Sequence, residues 1–449
     1  MKRNKTKLAA LIIVVLLVFF MVYLQLRDYN SYKNRIHKQA NTIIKINVDG
    51  IYKTLAIDFI TNPSYYLKKE KGGKGSEVKK GNGIKMPANI FLFNVNTKSA
   101  STFFCSLPLT DTAAFKQFIS QKLNISSFIK INNSAFLGTS KDGKLTIAYT
   151  SNNMSIAYSV NKEEVLDILT DLLNHKNILT KDDDKIKRLK QTTNHIDYLS
   201  STNAGFINFK DGEITLNAEF ACPDSLMITN KNTHRIFSKD ATLKMWLNAG
   251  INKFVNHRTF NLNNYALQTD SLLKNYTGYV DAEWINTVTQ TDSVITYNYT
   301  DDFEKVEKLN LKEVQVPELS ISLKGNANGL FNYLKNENII QDDHRINKEF
   351  FPLYSVYASK NGDHFWLSTK KYSIDHTSRE NSNYFFFLEM NLDKIKSQNL
   401  FPLLNRYISN SSLLTAKAEK TGSTILVESS IIVKYKGVNA LPQFLNQFL

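Results

Sequence analysis

The sequence predicts an α+β protein: an N-terminal transmembrane helix followed by two tandem, duplicated units, each an antiparallel sheet with helices packed on one face. Three observations carry this expectation. Residues 8–26 form one uncharged apolar run. The remainder is built of short alternating segments rich in Phe, Tyr, Ile and Thr, the residue types that suit pleated, half-buried strands. The second half then repeats the order of elements in the first.

The run LAALIIVVLLVFFMVYLQL holds 19 residues, with Gln25 its only strongly polar side chain. At 1.5 Å rise per residue, a helix of about 20 residues crosses a hydrocarbon layer of roughly 30 Å. It has no polar stripe of the kind a buried core helix carries. Residues 1–7 contain Lys2, Arg3, Lys5 and Lys7 and no acid, which favours a cytoplasmic N-terminus and an exported body. The run ends Phe-Met-Val-Tyr-Leu-Gln-Leu-Arg, without the small residues of a signal-peptidase site, and the first cysteine is Cys105. The expected organisation is a tail at 1–7, an anchor at 8–26, a juxtamembrane stalk at 27–41, a first unit at 42–222, a spacer at 223–240 and a second unit at 241–449.

Beyond the stalk, residues 42–48 read as a strand, followed by a helix through Ile51, Leu55 and Phe59 that Pro63 helps to end. Residues 68–83 are a glycine-rich loop. Residues 90–95 and 102–107 alternate as strands do. Thr110 or Asp111 can cap a helix whose inner side is Phe115, Phe118, Ile119 and Leu123. Residues 136–149 form a hairpin turning at Lys141-Asp142-Gly143, because Asp-Gly supplies the positive φ of a tight turn. After a strand at 155–160, Asn161 and Glu164 resemble a capping box opening a helix on Val165, Ile168, Leu169, Leu172 and Leu173. Residues 174–194 read as polar loop and a solvated helix, and 205–220 as a hairpin turning at Lys210-Asp211-Gly212.

Five later segments echo earlier ones. Residues 247–253 resemble 46–53, and 318–325 lead into a helix at Leu330, Phe331 and Leu334 as 103–109 lead into Phe115. Ser359-Lys-Asn-Gly362 resembles Ser140-Lys-Asp-Gly143, 385–391 resemble 156–161, and Lys420-Thr-Gly422 resembles Lys210-Asp-Gly212. The closing helix has Leu441, Phe444, Leu445 and Phe448 as its expected inner face.

Composition narrows the function. With 42% hydrophobic residues, 28 Phe and 21 Tyr, packed cores are expected and global disorder is excluded. Net charge is +15, of which the tail holds four and residues 68–85, with seven lysines and two glutamates, hold five. The remaining six are an ordinary solvated surface, so no nucleic-acid partner is expected. Two cysteines, Cys105 and Cys222, are too few for a disulfide framework.

Catalytic signatures are weak. There is no HExxH and no CxxC, and His37, His175, His195, His234, His257, His344, His364 and His376 are scattered, so no metal, cofactor or catalytic residue is expected. Ser127-Phe-Ile-Lys130, Ser151-Asn-Asn153 and Lys420-Thr-Gly422 follow the order of a serine acyltransferase of the penicillin-binding kind. Some 20 residues between the first two leave no room for the helical domain that arrangement needs. A lysine cluster, Lys68, Lys69, Lys71, Lys74, Lys79 and Lys80, is the one candidate contact, directed at anionic lipid headgroups or envelope polymers.

The apolar run, the absent cleavage site, the duplicated units and the closing strand and helix together resemble uncharacterised membrane-anchored exported proteins of low-GC Gram-negative bacteria, a domain of unknown function. The resemblance implies an envelope location and transfers no functional residue. The expected role is a non-enzymatic single-pass inner-membrane protein with a periplasmic binding or scaffolding body. Its expected partners are the membrane and other envelope components. The alternatives are a carrier or sensor of an apolar or lipid ligand and the serine acyltransferase.

Overall fold

The computed structural model describes residues 19–33, 35–67, 81–132, 134–228, 232–252, 257–299, 305–371 and 378–448. Residues 1–7 and most of the apolar run lie outside these. The described chain opens in helix, over residues 19–31. Among the described residues no helix is long and apolar enough to cross a membrane.

The fold is α+β with extensive antiparallel sheet, in two compact units, residues 1–209 and 210–449. The strand Glu213–Ala221, which the sequence reading placed before the spacer, pairs along its whole length with Thr424–Val433 in the second unit.

In the first unit the hydrogen-bonded order is Ala204–Lys210, Ile196–Leu199, Ala40–Asn47, Asn89–Val95, Thr102–Pro108, Asn153–Ser159, Leu145–Tyr149. Phe136–Thr139 and Ile129–Lys130 extend the last edge. Helices cover both faces, not one. Phe104 joins Phe91, Phe93 and Ala157 beneath the helices Leu166–Leu173 and Asp184–Gln191. Its neighbour Cys105 joins Leu107, Ile147 and Tyr149 against Phe115 and Ile119 of the helix Thr112–Leu123. Successive side chains on a strand point to opposite faces, so this apolar strand is buried twice.

In the second unit the order is Ser411–Thr421, Phe386–Asn391, Leu243–Gly250, Tyr276–Tyr299, Lys305–Gly325, His364–Ser368, Tyr357–Asn361. Thr424–Val433 extends the first edge. Numbered in chain order within each unit, both series of seven strands read 7-6-1-2-3-5-4 across the sheet. Strand 3 is followed by a helix in both, Thr112–Leu123 and Ala327–Asn336. Here the helices share one face: Leu323, Phe365 and Leu367 meet Ala327–Asn336, while Trp284 and Leu319 meet Leu392–Gln398. The opposite face carries a two-stranded ribbon, Asn232–Arg235 paired with Arg379–Ser382.

These positions correct two of the five echoes. Phe386–Asn391 occupies the place of Ile196–Leu199, not of residues 156–161. The Ser359–Gly362 segment lies at the turn between strands 4 and 5, whereas Ser140–Gly143 precedes strand 4. Both pairs share turn or strand chemistry, which recurs wherever a hairpin needs it.

Two local expectations also change. The helix Leu166–Leu173 starts from Val165, which has no capping side chain, and Glu164 Oε1 accepts from the Leu166 amide at 3.2 Å without a capping box with Asn161. Asn161 binds Ser99, and Glu163 accepts from the Ser99 amide and the Thr102 hydroxyl. In the closing helix, Ala440–Asn446, Gln443 is buried while Leu445 and Phe448 are exposed. Gln443 Oε1 accepts from the Tyr435 amide, and its Nε2 donates to the Tyr435 and Val438 carbonyls. Satisfying the backbone of that turn takes the inward position the apolar pattern had assigned to Leu445 and Phe448.

Candidate functional site

The predicted contact lysines, Lys68, Lys69, Lys71, Lys74, Lys79 and Lys80, lie outside the described residues. The described chain stops just before them at Leu67, after the helices Val48–Thr61 and Pro63–Tyr66.

Helix Val48–Thr61 begins at Asn47, whose Oδ1 accepts from the Gly50 amide at 2.8 Å. Its inner side is mixed: Val48 and Asp58 are buried, and Ile51, Thr54 and Leu55 are half-buried beside them. Asp58 accepts from Asn62 Nδ2 at 2.7 Å and from the Tyr66 hydroxyl. Thr54 Oγ1 lies 2.9 Å from His195 Nε2. His195 Nδ1 accepts from the Phe209 amide at 2.9 Å, so Nε2 carries the proton and donates to Thr54. Burial lowers the His195 pKa, consistent with the neutral ring.

The outer side is apolar. At 100° per residue, Phe59, Tyr52, Ala56, Ile60 and Ile57 fall in that order on one arc, interrupted by Asp49 in the first turn and by Lys53. Ile60 is 76% exposed, and Tyr52, Ile57 and Phe59 are exposed with it. Leu67 is exposed beyond them, and Phe59 and Tyr66 rings pack 5.6 Å apart. Of the three apolar residues that mark this helix in the sequence, Ile51 and Leu55 are half-buried and Phe59 is exposed. Apolar residues on nearly every side of this helix leave periodicity without a preferred direction.

The end of the apolar run is tied to this helix. Arg27 Nε forms an ion pair with Asp49 Oδ2, in the first helical turn, at 3.0 Å. Asn89 Nδ2 donates to Asp28 Oδ1 at 2.7 Å, and the Tyr32 ring packs 5.3 Å from Phe91. Residues 27–32 therefore dock on the first sheet. Phe19, Phe20, Met21, Val22, Tyr23 and Leu26, one step earlier, are exposed.

Two buried charge centres escaped the sequence reading. In the second unit Arg235 descends from the ribbon onto the sheet. Its Nε donates to Asp281 Oδ1 at 2.6 Å, Nη1 to Glu283 Oε2 at 2.7 Å and Nη2 to Ser320 Oγ at 2.9 Å. Burial pushes the Asp281 carboxyl up, and Arg235 works against that shift. Beside it, His234 stacks on Trp246 at 3.9 Å, and Trp246 on Phe387 at 4.3 Å. Arg379 Nη2 donates to His364 Nε2 at 2.8 Å, leaving His364 Nδ1 to donate to Ser322 Oγ. In the first unit Lys45 Nζ meets Asp197 Oδ2 at 2.9 Å and donates to the Leu189 and Thr192 carbonyls. The one sequence signal for the larger centre is Asp281 and Glu283 two apart in a strand, on one face. Both centres are buried and clamp elements together; a cleft of about 240 Å³ reaches Asp197 and Thr192 of the first-unit centre.

The remaining candidates do not converge. Ser127 lies in coil and Lys130 in the strand Ile129–Lys130, so no helical turn aims that lysine at that serine. Lys420 ends a strand whose hairpin turns at Gly422, φ +61°. Among the described residues no group of three His, Cys, Asp or Glu side chains is placed to hold a metal ion. His37 pairs with Asp171 and His257 with Asp270, while His175 and His344 sit at positive φ. His376 is outside the described residues. A cleft of 640 Å³ is lined in part by Asp393, Lys396, Lys434 and Lys436, with Lys396 already bound to Asp393 and the Ser411 carbonyl. Cys105 and Cys222 are free thiols.

No protein-family model matches the chain, and no curated protein matches it in sequence. Among solved structures, crystal forms III, I and IV of TP0453 are similar at 10% identity, with TM-scores of 0.22, 0.23 and 0.23. They cover 74%, 73% and 74% of this chain and 89%, 87% and 87% of their own. A likeness that loose transfers neither fold nor role.

Proposed function

We propose that the protein is a single-pass inner-membrane protein, N-terminus in the cytoplasm, whose body is a duplicated α+β scaffold in the periplasm that binds another envelope component without catalysis. The observation that carries this reading is the passage from residues 8–26 into the fold. The exposed apolar residues 19–26 run without a linker into Arg27, which is already paired with Asp49 of the first unit. A chain built this way holds its folded body close against whatever solvates the apolar run. The shared 7-6-1-2-3-5-4 strand order supports duplication of one ancestral unit. The buried ion pairs and the scattered histidines give a binding role more support than a catalytic one.

The test is topological. A reporter that is active only after export, fused after Leu449, should be active in an intact Gram-negative host, and the chain should stay with the membrane after alkaline carbonate washing. Reporter activity confined to the cytosol, or release by carbonate, would overturn the reading. Carriage of an apolar ligand gains less support, because the space between sheet and helices in the first unit is filled by Phe93, Phe104, Leu169 and Leu172, all fully buried.

A further inference from the structure

We infer that the outward face of helix Val48–Thr61 lies in the headgroup region of the bilayer, so that the first unit rests on the membrane surface. The inference rests on the anchored reading above and names the partner of this face.

The first argument is composition by position. Phe59, Tyr52, Ala56, Ile60 and Ile57 form an exposed arc on a helix of 14 residues, broken by Lys53 and by Asp49, whose carboxylate is paired with Arg27. The helix is too short to span a bilayer and has the form of a helix lying in its interface. Lys53, the one cation within the arc, has a stem long enough to keep its ammonium among the headgroups.

The second argument is proximity. Leu26 is the last residue of the apolar run, and its neighbour Arg27 is 3.0 Å from Asp49 in the first turn of this helix. If residues 8–26 span the membrane, the helix starts within a side chain's length of the point of exit. The Asn89–Asp28 hydrogen bond holds that geometry to the sheet. A helix of about 21 Å that begins at the interface and shows an apolar arc to solvent has lipid as its nearest apolar neighbour.

The third is charge sign. The sequence after Leu67 carries seven lysines against two glutamates up to Lys85. Anionic headgroups attract such a composition.

The test uses the full chain, with Cys222→Ser to leave buried Cys105 as the only native thiol, reconstituted into vesicles of phosphatidylethanolamine and phosphatidylglycerol at 3:1. An environment-sensitive fluorophore is placed through Ile60→Cys and, as the aqueous control, through Lys141→Cys on an exposed turn. The expected result is a blue-shifted label at 60, quenched at least about fivefold more by shallow spin-labelled lipid than the label at 141, and protected from aqueous iodide. Adding Ile57→Asp should restore iodide access at 60 while the chain still floats with the vesicles. Equal iodide quenching at 60 and 141 overturns the inference. So does a label at 60 shielded from both quenchers, which would mean that protein covers the face. In either case flotation after carbonate washing leaves the anchored reading standing, whereas loss of flotation removes that reading and this one with it.

Discussion

Arg235 Nε and Asp281 Oδ1 sit 2.6 Å apart, and each side chain is 1% exposed. Glu283, equally enclosed, takes the other edge of the guanidinium. One cation thus holds the ribbon to the sheet through two strand carboxylates. Replacing Arg235 with Met leaves those carboxylates buried and unpaired, and should cost about 3–5 kcal/mol in chemical unfolding. Replacing all three with apolar residues of similar volume should recover most of that loss. Additive losses in the triple variant would show that the cluster is not a closed electrostatic unit.

Lys45 and Asp197 do the same work in the first unit, joining strand Ala40–Asn47 to Ile196–Leu199 and the end of helix Asp184–Gln191. Lys45→Met should destabilise by about 3–5 kcal/mol, because Asp197 keeps its charge without its cation. Lys45→Arg should not rescue it: the planar guanidinium is too broad to replace an ammonium that donates to two carbonyls. Urea midpoints of the two variants decide this.

Acid should loosen both units through histidine. Burial lowers the His195 pKa, and burial followed by Arg379 lowers that of His364. A folded pKa below the unfolded value of about 6.5 means the unfolded chain binds more protons, so stability is complete above that pH and falls as pH drops below it. Each histidine contributes at most about 1.4 kcal/mol per pH unit to the slope. His195→Gln should flatten the dependence of the unfolding midpoint between pH 6.5 and 5. An unchanged slope would show that His195 is not held neutral.

The two thiols should react at very different rates. Burial pushes the Cys105 thiol up to about 12, leaving almost no thiolate at neutral pH. Cys222 is only half-buried. A chromogenic disulfide reagent should titrate one thiol on the folded chain and two after denaturation, and Cys222→Ser should abolish the first. Rapid labelling of both in the folded protein would contradict the packing of Cys105 against Leu107 and Tyr149.

Much of the fold was legible where one local rule acts alone. Asp111 caps the helix Thr112–Leu123, accepting from the Ala113 and Ala114 amides. Gly143, at φ +72°, closes the hairpin that Asp142-Gly143 announced. Alternation located Asn89–Val95 and Thr102–Pro108 to within a residue. The candidate site was less legible. The lysines that composition singled out lie outside the described residues, and apolar residues on most sides of the neighbouring helix give its periodicity no outward direction.

The sequence by itself determined the apolar run, the alternation of strands and helices, and the turn chemistry, because each depends on residues a few positions apart. Only the tertiary structure decided which strands are neighbours, which face of Val48–Thr61 meets solvent, why Gln443 turns inward where Leu445 does not, and that Arg235 meets carboxylates 46 and 48 residues away. Those outcomes turn on desolvation and on satisfying buried polar groups, and both are settled by what packs alongside. Periodicity records that a side chain is apolar, but not which surface will cover it.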